Sequence, residues 1–179
     1  RPLFNVEAKI DEETGELLVR GDNVMSGYFN RPDLTGEVID EQGWLKTGDI
    51  AKIDKDGFIW ITGRIKNMIV LSGGKKVFPE EVESVFATSP IFQELVVFGC
   101  KKKNGQKEGS ENVCVKVVPK QEILDQYTND EELYDVVYKE IKILGNRLSH
   151  FKRPTVVAVT REPLERTATG KIKRKGLSL

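Results

Sequence analysis

Apolar residues recur on two different periods along this chain, and the change from one to the other divides it. From residue 5 to residue 62 they come in short runs broken by turn residues: Val6-Glu7-Ala8-Lys9-Ile10, then Glu13-Thr14-Gly15, then Leu17-Leu18-Val19-Arg20. Such runs predict the two arms of a β-hairpin. A second hairpin is predicted across residues 50–62, where Lys55-Asp56-Gly57 supplies the positive φ angles of a tight turn. Its second arm alternates Phe58, Trp60 and Thr62 with Ile59 and Ile61. Both faces carry apolar groups, so this arm should pack on two sides. Sixty residues that read as strand throughout offer little cover for it, which predicts that they belong to a larger barrel or sandwich.

After Gly63 the period lengthens. Phe78-Pro79-Glu80-Glu81-Val82-Glu83-Ser84-Val85-Phe86 has proline at a first helical position, acids in the first turn, and Val82, Val85 and Phe86 on one face. This helix should end by Ser89-Pro90. Leu95-Val96-Val97-Phe98 and residues 113–118 are continuous β-branched runs, joined by a Lys- and Gly-rich connection at 101–109 that reads as an exposed hairpin loop. Thr128 with Glu131 three residues on is a capping box, opening a helix with Leu133, Val136, Val137, Ile141, Leu144 and Leu148 on one stripe. Residues 155–160 form a further strand. The order α-β-β-α-β predicts an α+β domain with about three strands and helices on one face. The boundary falls where the period switches, giving residues 1–63 and 64–179.

Composition narrows the classes. The 179 residues are 39% apolar and 31% charged, which suits a globular protein and excludes disorder, collagen and a small disulfide scaffold. Lys+Arg 28 against Asp+Glu 28 leaves no net field to draw nucleic acid or an anionic membrane. No apolar run approaches the roughly 20 residues of a bilayer span, and residues 1–4 lack the layout of a signal peptide. Cys100 and Cys114 show neither metal spacing nor a disulfide framework, which points to a reducing compartment, and with His150 as the single histidine zinc chemistry is not expected. The chain begins without Met, which reads as a processed product or an excised piece.

The common nucleotide and hydrolase signatures fail. Gly170-Lys171 is followed by Ile172, and Glu165 stands where the first glycine of a phosphate-cradling loop belongs. Ser26, Ser72 and Ser149 all lack the Gly-x-Ser-x-Gly elbow. Three features remain. Lys46-Thr47-Gly48-Asp49 places a carboxylate just before a strand on a glycine bend, where it can accept hydrogen bonds from a sugar diol; alone it reads as a turn. Gly63-Arg64-Ile65-Lys66-Asn67, leading to Ser72-Gly73-Gly74-Lys75-Lys76, offers a guanidinium at the domain junction and glycines that admit a ligand to the backbone; alone it reads as a surface ion pair and a loop. Pro163-Leu164-Glu165-Arg166-Thr167-Ala168-Thr169-Gly170-Lys171 carries a lysine on a mobile loop, an ammonium suited to developing phosphate or carboxylate charge; alone it reads as a solvated basic tail.

Taken together and in order, these pieces resemble the C-terminal portion of the AMP-forming acyl-CoA synthetases, within the adenylating superfamily. The resemblance runs through Gly15-Glu16-Leu17, Gly27-Tyr28, Pro32-Asp33-Leu34-Thr35, Gly43-Trp44-Leu45-Lys46-Thr47-Gly48-Asp49, Gly63-Arg64, Pro79-Glu80-Glu81-Val82-Glu83, residues 148–154, and residues 163–171. The stretch Leu71-Ser72-Gly73-Gly74-Lys75-Lys76-Val77-Phe78-Pro79 is most similar to long-chain fatty-acid members.

The resemblance implies roles. Asp49 would bind the ribose hydroxyls of ATP or acyl-adenylate and Arg64 the ribose or phosphates; Lys66 would be the hinge of a rotating lid; Ser72, Gly73 and Gly74 would approach the pantetheine channel; and Lys171 would meet the carboxylate and α-phosphate during adenylation. Asn67 departs from the acidic residue common at its place and is assigned no role. ATP with Mg²⁺, coenzyme A and a carboxylic acid are the implied cofactor and substrates, with no metal held by this chain and no nucleic-acid partner. Residues 1–63 would end a large N-terminal domain and 64–179 would be its whole mobile lid, so the piece is expected to be inactive alone. A cytoplasmic location is expected, with peripheral membrane association of the full-length enzyme as the alternative. The competing readings are another carboxylate-adenylating enzyme, acting on an aryl or amino acid, and a non-enzymatic α+β binding module.

Overall fold

The two hydrophobic periods fold as two separate units, Arg1–Lys66 and Asn67–Leu179, in a computed structural model that describes residues 1–101, 111–174 and 176–177. In the first unit β1 (Val6–Ile10) pairs antiparallel with β2 (Glu16–Gly21), Val6 opposite Gly21 and Ile10 opposite Leu17. Asp11 builds the intervening turn, its Oδ1 accepting from the Thr14 amide at 2.8 Å and from the Thr14 hydroxyl at 2.7 Å. A short helix follows, α1 (Pro32–Val38), with proline at its start. The strand-only expectation is corrected here. Because α1 buries none of its residues, it leaves no apolar period to be seen in the sequence.

β3 (Leu45–Ile53) and β4 (Ile59–Arg64) complete an antiparallel sheet in the order β1-β2-β3-β4. Asp54 shapes their connection, with Oδ1 accepting from the amides of Asp56 and Phe58 and Oδ2 from the Trp60 indole at 3.1 Å. Leu17, Trp44, Ile50 and Ala51 are the buried apolar residues of this unit. Within this chain the second arm stays uncovered at Trp60, 61% exposed, and at Ile61, 62% exposed.

The second unit opens from a 3-10 turn, Ile65–Asn67, into a small antiparallel pair, β5 (Ile69–Val70) and β6 (Lys76–Val77), and then into α2 (Pro79–Phe86). Two long strands, β7 (Phe92–Cys100) and β8 (Asn112–Pro119), run antiparallel. The exposed loop expected between them falls largely on residues 102–110, outside the described residues. Two helices then cross over, α3 (Gln121–Gln126) and α4 (Asp130–Gly145), and deliver β9 (Val156–Val159) parallel to β8. The sheet order is β7-β8-β9, the three-stranded α+β arrangement that the sequence predicts.

The core lies on both faces of this sheet. Val97, Val113, Val115 and Val117 meet Val82 and Phe86 of α2 and Val137, Ile141 and Leu144 of α4 on one side. Val96, Phe98, Cys114 and Val118 meet Leu164, with Ile172 and Leu177 partly buried, on the other. Two expectations change. Asn129, not Thr128, caps α4, its Oδ1 accepting from the Glu131 amide at 2.8 Å. Cys100 and Cys114, expected unpaired, form a disulfide with Cα atoms 6.0 Å apart. They are diagonal neighbours, because the register sets Cys100 opposite Asn112 and Phe98 opposite Cys114.

Candidate functional site

In the first unit the candidate residues sit where the β2–β3 register breaks. Glu16 pairs with Ile50 and Leu18 with Lys46, so the chain from Thr47 to Asp49 bulges opposite Leu17. Gly48 takes φ 74°, open to glycine at low cost, and its amide donates to the buried Glu16 carboxylate at 2.7 Å. The Thr47 hydroxyl donates to the Leu17 carbonyl at 2.7 Å and accepts from the Asp49 amide at 3.1 Å. Asp49 therefore lies inside β3, not ahead of a strand as expected. Antiparallel register sets it opposite Arg64, and the two form an ion pair, Nε to Oδ1 2.7 Å. The Asp49 side chain is 16% exposed and that of Arg64 56%, so the acid is seated while the arginine reaches toward solvent. A seated carboxylate can accept from a diol, and the exposed guanidinium beside it can donate to an anion. Glu16, which holds the bulge, was not singled out from the sequence; its place in the Gly15-Glu16-Leu17 motif was the available signal.

Lys66 is exposed and ends the first unit, within the 3-10 turn. Beyond it, Ser72, Gly73 and Gly74 form the exposed turn between β5 and β6, closed by Leu71 N–H to the Lys75 carbonyl at 2.9 Å and Gly74 N–H to the Leu71 carbonyl at 3.0 Å. In the same unit Lys171 stands at the end of a tight hairpin, in which Arg166 bridges Ile172. Thr167 donates its amide to the Lys171 carbonyl at 2.8 Å, and Gly170, at φ +79°, donates to the Thr167 carbonyl at 2.9 Å. The sequence reads this segment as a mobile loop; the structure shows a closed turn whose flank, Ile172, packs beneath the sheet. The Lys171 side chain is exposed and makes no ion pair among the described residues.

Two carboxylates near this hairpin are held in opposite senses. Arg166 and the Leu164 amide hydrogen-bond Glu94 and keep its carboxyl below the usual value of 4.5. Burial pushes Glu83 up, although Arg174 and the Val97 amide oppose the rise.

With this geometry in view, comparison with known proteins settles the family. Residues 66–178 match the family described as AMP-binding enzyme C-terminal domain. The chain belongs to that family. Among its relatives, the mitochondrial medium-chain acyl-CoA ligase ACSF2 of Macaca fascicularis is 37% identical over 176 residues, covering 96% of this chain and 26% of the relative. The long-chain-fatty-acid–CoA ligase FadD13 of Mycobacterium tuberculosis is 34% identical over 158 residues, 88% of this chain and 28% of that one. The solved structure of O-succinylbenzoate coenzyme A synthetase (MenE) from Bacillus subtilis, in complex with ATP and magnesium ion, superposes with a TM-score of 0.76 at 31% identity, covering 99% of this chain and 34% of that chain. The chain thus spans about a quarter of the length of the curated relatives it matches. The second unit, which the family match covers, carries Lys171 and the turn at residues 72–74, while Asp49 and Arg64 lie in the unit before it.

Proposed function

We propose that this chain is the C-terminal part of an ATP-dependent, AMP-forming acyl-CoA ligase that activates a carboxylic acid through an acyl-adenylate and then a thioester with coenzyme A. The single observation that carries the reading is the exposed Lys171 ammonium, which makes no ion pair among the described residues and is presented on a closed hairpin in a chain of this family. In the first half-reaction a carboxylate attacks the α-phosphate of ATP and pyrophosphate leaves. Lys171 would stabilise the charge that grows on the attacked phosphate. Asp49 would accept from the ribose hydroxyls, and Arg64 would donate to the ribose or phosphate oxygens. In the second, the thiolate of coenzyme A attacks the acyl carbonyl and AMP leaves, with Ser72, Gly73 and Gly74 beside the pantetheine arm. Lys66 would absorb the backbone rotation that turns the lid between the two steps. Mg²⁺ accompanies the nucleotide, and no group of three His, Cys, Asp or Glu side chains among the described residues could hold it.

The acid is proposed to be a fatty acid. The stretch Leu71-Ser72-Gly73-Gly74 and the names of ACSF2 and FadD13 support this, while MenE, named for O-succinylbenzoate, favours the aryl alternative.

The test uses the full-length protein. Lys171→Ala is expected to abolish carboxylate-dependent exchange of pyrophosphate into ATP, yet to leave thioester formation from preformed acyl-adenylate largely intact. Equal loss of both half-reactions would remove the lysine from its role.

A further inference from the structure

A lysine ends in a compact charge on a flexible four-carbon stem, so a protein that must deliver it to one place has only the backbone beneath it to fix. Here that backbone is bonded on every side. The peptide unit joining Gly170 to Lys171 has its carbonyl held by Arg166 Nη1 at 2.8 Å and its N–H by the Thr167 hydroxyl at 3.2 Å. The carbonyl of Lys171 itself accepts from the Thr167 amide at 2.8 Å. With the peptide plane pinned at both ends, the direction of the Lys171 Cα–Cβ bond is set.

Arg166 is itself held by a single carboxylate. Its Nη2 donates to Glu94 Oε1 at 2.6 Å, and Glu94 Oε2 accepts the Leu164 amide at 2.9 Å. Glu94 belongs to β7, next to the buried residues of the sheet, and its side chain is 16% exposed. One acid on a rigid strand therefore grips the segment before the hairpin both through its backbone and through its arginine. On the far side of the hairpin Arg174 donates to Glu83 Oε2 of α2 at 2.6 Å, and Glu83 Oε1 accepts the Val97 amide at 2.8 Å. The segment that carries Lys171 is thus tied on one flank to β7 and on the other to α2.

We infer that Arg166, anchored by Glu94, is a positioning residue for Lys171: it carries the geometry of the sheet into the peptide plane that aims the ammonium at the reacting phosphate. This rests on the role proposed above for Lys171. Arg166 need not touch the substrate. Its effect is confined to the half-reaction in which the lysine acts, which separates it from an arginine that merely stabilises the domain.

The experiment compares Arg166→Ala, Arg166→Lys, Glu94→Gln and Lys171→Ala in the full-length enzyme. It measures pyrophosphate–ATP exchange, thioester formation from synthetic acyl-adenylate, and thermal unfolding. Arg166→Ala is expected to lower kcat for exchange on the order of 100-fold with the KM for ATP unchanged, the scale of a misplaced catalytic group. Thioester formation should stay at the wild-type rate. Arg166→Lys, which keeps a donor and a charge, should recover most of the exchange. Glu94→Gln should fall between wild type and Arg166→Ala, and it serves as the decisive variant if the alanine protein does not fold. Parallel loss of both half-reactions in Glu94→Gln, tracking a lowered Tm, would overturn the inference, as would full exchange in Arg166→Ala beside a dead Lys171→Ala; in the second case the function proposed for Lys171 survives. Wild-type exchange in Lys171→Ala would sink both.

Discussion

The four-stranded sheet of the first unit and the three-stranded sheet of the second each contain a strand that is apolar on both faces, and they bury it differently. In the second unit β8 reads Asn112-Val113-Cys114-Val115-Lys116-Val117-Val118-Pro119, and all but Lys116 are buried, because α2 and α4 lie over one face and the segment through Leu164 and Ile172 over the other. In the first unit β4 is also apolar on both faces, yet Trp60 and Ile61 stand exposed on an edge strand. Apolar groups on both faces of a strand state a need for cover; they do not say that the chain supplies it. The second unit brings its own cover, and the first does not.

The largest expected effect that could break this contrast is in the second unit. Phe86 is fully buried between α2 and the sheet, so Phe86→Ala should destabilise that unit by about 3–5 kcal/mol in denaturant unfolding. A loss within the range of a surface substitution would mean that the helix face is not the core.

Acid titration sharpens the comparison more gently. The lowered carboxylates of the first unit, Asp11, Asp33 and Asp54, sit on surface turns or at a helix start, held down chiefly by Thr14, Arg31 and the Phe58 amide respectively. In the second unit Glu94 is lowered from 4.5 by Arg166, so its contribution to stability is present above that value and is lost as pH falls through its folded-state pKa. Glu83 has the opposite sign, because its raised pKa makes ionisation oppose folding and acidification relieves it. The stability gap between wild type and Glu94→Gln should therefore be present at neutral pH and shrink below 4.5 when unfolding is followed across pH. A gap that does not change with pH would show that the Arg166–Glu94 pair contributes no ionic stabilisation.

The smallest effect belongs to the exposed edge. Trp60→Ser should change the stability of the first unit by no more than about 0.5–1 kcal/mol, from the surface position and its one hydrogen bond to Asp54. A core-sized loss would mean that Trp60 packs as a core residue.

What could be seen in the sequence follows the same division. α2 was legible because burial on a fixed face imprints a period, β7 and β8 because burial on both faces leaves a continuous apolar run, and both hairpins of the first unit from their turn residues. α1 and α3 were not, since neither buries a residue. The candidate site was legible as residue types and motifs, not as contacts. Asp49 meets Arg64, and Cys100 meets Cys114, through strand register, which no local spacing reveals. Glu94 and Arg166 lie 72 positions apart, so their bond depends on the whole topology between them.

That topology has a mechanical consequence. β9 runs parallel to β8, so both strands finish at the same end of the sheet, and β7, antiparallel to them, begins there with Glu94 opposite Val118. The chain leaving β9 emerges at the same end of the sheet as the opening of β7, one strand away across β8, where the Glu94 carboxylate catches the Leu164 amide five residues on from Val159. The tether between Val159 and Leu164 therefore sets how tightly that catch can be drawn: lengthening it would substitute no named residue and would still let Leu164 and Arg166 drift from Glu94.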